Sequence, residues 1–223
     1  MLKAFRILGS MTACVIFMTL TACTPVQKLW RNIHHHTTEY CNSRAYIQQG
    51  LNDYINKRFG SKSHARLAVI PFTVPANLAA TRRELPGIGN TLAWRTQAWM
   101  LENGSVPIVE VLPREDWPGK RDEFFAGNHG AIRMARDAGF DLVLVGFVSE
   151  MTSADTLSAS AKIIETESGI TVWYGTVDAV SARQSVDRNT AWLGLTDRKP
   201  AELHYEPLLE RLAKCIVKES TRD

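Results

Sequence analysis

The chain has 223 residues, 45% of them hydrophobic and 22% charged, with a formal net charge of +3. A chain of this size forms one ordinary domain with a tail and buries a full core without staples. The near-neutral balance gives no electrostatic case for a nucleic-acid partner.

The first element is an export leader. Lys3 and Arg6 open it, an apolar run from about Ile7 to Leu20 follows, and small residues close it. That run is shorter than the roughly 20 apolar residues needed to span a bilayer. Leu20-Thr21-Ala22-Cys23 resembles the bacterial lipobox, in which the leader is cut before a cysteine that then carries lipid. The resemblance makes Cys23 the lipidated first residue of the mature chain and gives the protein a bilayer partner. Met11-Thr12-Ala13-Cys14 is a second match, placed too early inside the apolar run. Removing residues 1–22 takes away Lys3 and Arg6, so the formal charge falls from +3 to +1. Residues 23–38 then read as a tether, with Pro25, mixed polarity and no sustained period. Its His34-His35-His36 run cannot direct three adjacent rings at one metal from a regular helix or strand, so no metal site is assigned. The folded domain is expected over residues 39–223.

Glu39 to Phe59 reads as a helix, because Tyr46, Ile47, Leu51, Tyr54 and Ile55 fall on one stripe. Arg66 to Val74 is a strand whose continuously apolar centre predicts cover on both faces, with pairing ending or bulging at Pro71. Residues 75–89 are a loop. Its Gly87-Ile88-Gly89 lacks the further glycines or Gly-Lys-Ser/Thr of a phosphate loop. A helix runs from about Thr91 to Asn103, capped by Asn90 or Thr91 and stopped by Gly104. Pro107 to Leu112 is a strand. Residues 118–128 are a polar loop, with Phe124-Phe125 as its apolar exception. Asn128 caps a helix to about Ala138. Asp141 to Val148 is the most apolar strand and belongs at the sheet centre. Period-two runs over Thr156–Thr166 and Ile170–Thr176, around a turn at Glu167-Ser168-Gly169, read as an antiparallel hairpin, with Val177–Val180 extending it. Residues 181–199 are a polar loop, and Pro200 opens a last helix striped by Tyr205, Leu208, Leu209, Leu212 and Ile216. The order predicts one α/β domain: a mixed sheet flanked by helices, parallel early and antiparallel late, with a late hairpin and a C-terminal helix.

No chemistry stands out. His64, His129 and His204 are isolated, there is no Gly-x-Ser-x-Gly, and no metal signature has a defined spacing. No catalytic residue, metal or cofactor is therefore assigned, and the chain is expected not to be an enzyme. Cys41 and Cys215 are either one disulfide of an exported chain or two buried thiols. Trp94, Trp99 and Trp117 are the candidates for a partner-binding surface, two of them on one helix.

Five segments in order resemble a known group. They are Arg66-Leu-Ala-Val-Ile-Pro-Phe72, the helix over Leu92–Leu101, Val109-Glu-Val-Leu-Pro-Arg114, Ala138-Gly-Phe-Asp-Leu-Val-Leu-Val-Gly146 and Glu167-Ser-Gly-Ile-Thr-Val-Trp173. Together, over about residues 64–182, they are similar to curli-secretion lipoproteins (CsgG-type), the N-terminal domain of the Tol-system propeller protein and lipoprotein activators of penicillin-binding proteins. Residues 75–89 and 181–199 do not alternate as barrel strands should, so pore formation is not expected. The resemblance implies a periplasm-facing lipoprotein that works on an envelope protein partner or by self-association, in assembly, secretion or cell-wall synthesis. Thr24, in place of aspartate after Cys23, implies the outer membrane. The rival expectation is an exported hydrolase or small-ligand binder using a pocket near residues 75–89.

Overall fold

The computed structural model describes residues 41–60, 65–75, 87–113, 120–149, 156–180 and 205–222. The leader, Cys23, the tether and Trp117 lie outside the described residues. The body from Cys41 onward is a unit separate from Met1–Tyr40.

The elements, in chain order, are β1 Cys41–Gln48, α1 Leu51–Phe59, β2 Arg66–Val69, α2 Ile88–Asn103, β3 Ile108–Val111, α3 Lys120–Ala126, α4 His129–Asp137, β4 Leu142–Val148, β5 Thr156–Glu165, β6 Thr171–Val180 and α5 Tyr205–Ser220. The six strands form one sheet in the order β1-β6-β5-β4-β2-β3. β2 pairs in parallel with β3 and β4, whereas β4–β5, β5–β6 and β6–β1 are antiparallel. The predicted mixed sheet, late hairpin and C-terminal helix are all present.

Alternation along the strands sorts side chains onto two faces. Leu67, Val69, Leu142, Leu144, Leu157, Ile163, Trp173 and Val177 pack against Leu51 and Ile55 of α1, Leu92 and Met100 of α2, and Leu209, Leu212 and Ile216 of α5. Ala68, Ile70, Val143, Val145 and Phe147 pack the other way, against Phe124 of α3 and Ile132 and Ala135 of α4. Each fully buried Leu, Ile or Val contributes about 1.5–3 kcal/mol, and the first cluster holds most of them.

Three expectations change. The predicted helix over 39–59 is a strand and a shorter helix. Gly50 at φ 65° breaks the chain between them, so the stripe was two patterns end to end. Tyr46 and Ile47 are exposed on the sheet edge, while Leu51 and Ile55 are buried on α1. The polar loop at 118–128 contains α3, an amphipathic helix that buries Phe124 and exposes Phe125. Its Glu123 is not a solvated charge: Oε1 accepts hydrogen bonds from the N–H groups of Gly130 at 2.7 Å and Ala131 at 3.2 Å, at the start of α4. A carboxylate there meets the unpaired amides and positive end of the helix. Asn128 sits at the N-cap position with φ 57° but gives α4 no side-chain cap, and instead donates to Phe124 O at 3.2 Å.

The third change is the start of α2, at Ile88 rather than Thr91. Gly89 lies in its first turn against the backbone after β2, where Phe72 N donates to Gly89 O at 3.2 Å. A Cβ on Gly89 would stand 2.0 Å from the Phe72 carbonyl oxygen. The Gly-x-Gly pattern thus serves helix-to-strand approach. Gly89→Ala is expected to lower stability by about 2 kcal/mol through overpacking, read as a lower urea midpoint at unchanged slope.

Candidate functional site

Helices α1, α2 and α5 supply the cover of the first sheet face. On the second face α3 and α4 stand over β4 and its neighbours; Phe124 of α3 reaches Lys162 of β5 and Tyr174 of β6, and beyond that row no described helix covers β5, β6 and β1. Register places the side chains of this open half in rows. Lys162 on β5 is opposite Tyr174 on β6, Ser160 is opposite Thr176, and Ser158 is opposite Asp178. On β1, Arg44 is opposite Thr176 and Asn42 is opposite Asp178. The Ser160 and Thr176 hydroxyls are hydrogen-bonded at 3.1 Å.

A continuous run of rings borders these rows. Tyr46 stacks on Tyr174 with centroids 4.8 Å apart, Tyr174 meets Phe124 at 5.9 Å, and Phe124 meets Phe125 at 5.3 Å and Phe147 at 5.0 Å. Both ends of the run are open to solvent: Tyr46 is 52% and Phe125 is 62% exposed. Lys162 lies within it. Its ammonium donates to Phe124 O at 2.7 Å and sits 4.3 Å from the Phe124 ring centre and 4.9 Å from that of Tyr174. Among the described residues no carboxylate pairs with it, and burial pushes its pKa down. The Arg121 guanidinium stands over Phe147 at 5.3 Å. Among the described residues this surface offers cations, hydroxyls, ring faces and the Asp178 carboxylate.

A second feature is a shallow cleft, open to solvent, at the C-terminal ends of β2 and β4. Ile70, Pro71, Thr73, Phe124, Asn128 and Gly146 line it together with Glu123. Glu123 is its one titratable group among the described residues, and that carboxylate caps α4. Among the described residues no group of three or more His, Cys, Asp or Glu could hold a metal, and no helix is long and apolar enough to cross a membrane.

The other candidates are dispersed. Cys41 and Cys215 form a disulfide with Cα atoms 5.7 Å apart. Trp94 is 57% exposed on α2, on the side of the body away from the aromatic run. Trp99 is partly buried, donates Nε1–H to Glu210 Oε1 at 2.7 Å and has Lys214 over its ring at 5.1 Å. Arg95 ties the same Glu210 and Glu206 of α5 to α2, so Trp99 belongs to the α2–α5 seam. Sequence reasoning does not find Tyr46, Phe125, Lys162 and Tyr174 as a group. Phe124-Phe125 in a polar stretch is the one signal, and the register that gathers the others is not visible in sequence.

No protein-family model matches the chain, and no curated protein is similar to it. Among solved structures it is similar to the PelC dodecamer from Paraburkholderia phytofirmans, with 14% identity and a TM-score of 0.42 over 82% of this chain and 99% of that one. It is similar to lipoprotein GNA1162 from Neisseria meningitidis, with 16% identity and a TM-score of 0.33 over 60% and 99% of the two chains. It is also similar to the LpoB C-terminal domain from Salmonella enterica, with 14% identity and a TM-score of 0.35 over 60% and 96%. Of the groups named from the sequence, the lipoprotein activators of penicillin-binding proteins are represented here by LpoB, the Neisseria protein is a further lipoprotein, and nothing in these structures supports the curli-secretion branch. At scores of this size the likeness carries nothing about function, and the functional reading rests on the chain's own residues.

Proposed function

We propose that the chain is a lipid-anchored bacterial envelope protein, facing the periplasm from the outer membrane. It acts by protein–protein contact, as an accessory factor in assembly, secretion or cell-wall synthesis, and not as an enzyme. The lipobox-like Leu20-Thr21-Ala22-Cys23 supports the anchor. The observation that carries the contact reading is the open half of the sheet, where Tyr46 and Phe125 hold large apolar rings in solvent beside cations. Rings of this kind next to polar groups are the side chains that anchor interfaces. The disulfide fits an oxidising compartment outside the cytoplasm. The rival reading, an exported hydrolase or ligand binder near residues 75–89, falls mostly on residues 76–86, outside the described residues; the described cleft beside them holds one carboxylate, engaged at the start of α4.

The Cys23→Ser chain is expected to leave the membrane fraction, and the wild-type N-terminal peptide is expected to carry acyl mass on Cys23. A wild-type peptide with a free thiol overturns the anchor. Photo-crosslinkers at Tyr46 and Phe125 are expected to capture one discrete envelope protein, while one at exposed Leu101 on α2 captures none. Equal capture at all three positions, or none, removes the contact reading.

A further inference from the structure

We propose that the open β5–β6–β1 half of the sheet seats an acidic helix of a partner protein, whose carboxylates pair with Lys162 and Arg44. This rests on the contact reading and names the chemistry of the partner.

Width is the first argument. Three strands spaced about 4.8 Å apart leave a strip about 10 Å across, and a helix with its side chains is roughly 10–12 Å wide. The strip therefore has the size of one helix, lying beside α3 on the same face. Layered folds cover a sheet face in this way with helices.

Charge is the second. Elsewhere on the body Arg58 pairs with Glu165 and Glu167 and Arg95 with Glu206 and Glu210, whereas Arg136 and Arg211 are held by backbone carbonyls. On this face Lys162 is half-buried and, among the described residues, has a carbonyl and two rings as partners. Exposed Arg44 has no carboxylate among the described residues. A half-desolvated ammonium gains most from an incoming carboxylate, because the ion pair then forms where water already has limited access. Asp178 is the face's own carboxylate. It stands opposite Asn42 and Ser158, one row beyond Arg44, so it repels an acidic segment there and favours a register with the acidic end at Lys162. Asp122 and Glu123 belong to α3, and Glu123 is engaged at the start of α4.

The floor decides the class of partner. Ser158 and Thr176 make it polar above a buried Ser160 that bonds Thr176, with exposed apolar anchors at its margins, Tyr46, Ile47 and Phe125. That suits a helix with carboxylates and a few apolar side chains, and not insertion into a bilayer.

The test uses the full chain in detergent micelles and a labelled helical peptide built from repeats of Glu, Ala and Leu, with a twin carrying Gln for Glu. Fluorescence anisotropy is expected to show saturable, salt-sensitive binding of the acidic peptide and at least about tenfold weaker binding of the twin. Lys162→Met should lose about tenfold and Lys162→Arg should retain binding, each with an unchanged urea midpoint. Lys214→Met, over Trp99, should bind as wild type. Equal binding of the two peptides, or wild-type binding by Lys162→Met, overturns the proposal. So does Lys162-dependent binding of phosphatidylglycerol vesicles in place of the peptide. If the peptide fails while crosslinkers at Tyr46 still capture a protein, the acidic helix is wrong and the contact reading stands. If both fail, the contact reading itself is lost.

Discussion

Reduction of the Cys41–Cys215 disulfide is expected to lower the stability of the body by up to about 5 kcal/mol, the chain-entropy value for a loop of this length. The bond joins residues 174 apart in sequence, so breaking it frees the unfolded chain from a closed loop that spans nearly the whole domain. For a domain of this size that corresponds to a fall in Tm of roughly 10–20 °C. The local structure makes the effect concentrate on β1. From Asn42 to Gln48 every side chain of that strand is exposed. Its other ties are the ladder to β6, the Tyr46–Tyr174 stack and a bond from Gln48 Nε2 to Arg222 O at 3.1 Å. Hydrogen exchange in dithiothreitol should show amides of β1 losing protection before those of β4. A double Cys41→Ala, Cys215→Ala chain should reproduce the loss with no reductant. A midpoint that ignores both treatments would show that the bond adds nothing to the fold.

Arg58→Met is expected to lower stability at neutral pH, because it leaves the buried Glu165 carboxylate without its cation. Glu165 is 2% exposed at the end of β5. Arg58 of α1 reaches it at 2.6 Å and also holds Glu167 at 2.5 Å. Burial alone would raise the Glu165 pKa. Hydrogen bonds from Ser168 and Arg58, the Arg58 charge and a hydrogen bond from Tyr54 outweigh it and hold the carboxyl below the ordinary carboxylate value. A folded-state pKa depressed in this way gives stability that is present above the unfolded value and is lost as pH falls through the folded one. In Arg58→Met the Ser168 and Tyr54 hydrogen bonds remain while the Arg58 bond and charge are gone, so the folded pKa rises and less stability is lost on acidification. Urea midpoints measured from acid to neutral pH should therefore rise less steeply in the variant. Parallel curves would refute the assignment of Glu165 as the titrating group.

The layer order was legible in the sequence because its signals are local. The apolar centre of Leu142–Val148 placed β4 inside the sheet, and Gly169 at φ 73° closes the hairpin where the period-two runs met. The boundary at Gly50 was not legible, since a stripe every three or four residues continues across it by coincidence. The first half of that segment is an edge strand held by its backbone, and such a strand needs no apolar alternation. Helix α3 was hidden by its charged residues, one of which turned out to cap its neighbour. The candidate surface was the least legible part. Tyr46, Lys162 and Tyr174 come from three strands, and only the β1–β6–β5 register, including the shift between Ala45 and Ile47, brings them to one face.

The disulfide also has a mechanical meaning. Cys41 is the first residue of β1, and Cys215 is 2% exposed on α5 in the main core. Any pull arriving along the preceding chain meets that covalent staple before it reaches the first rung of the β1–β6 ladder. The tension passes directly into the hydrophobic interior, so an outermost ribbon that would otherwise peel from its leading end is never the part that bears the strain.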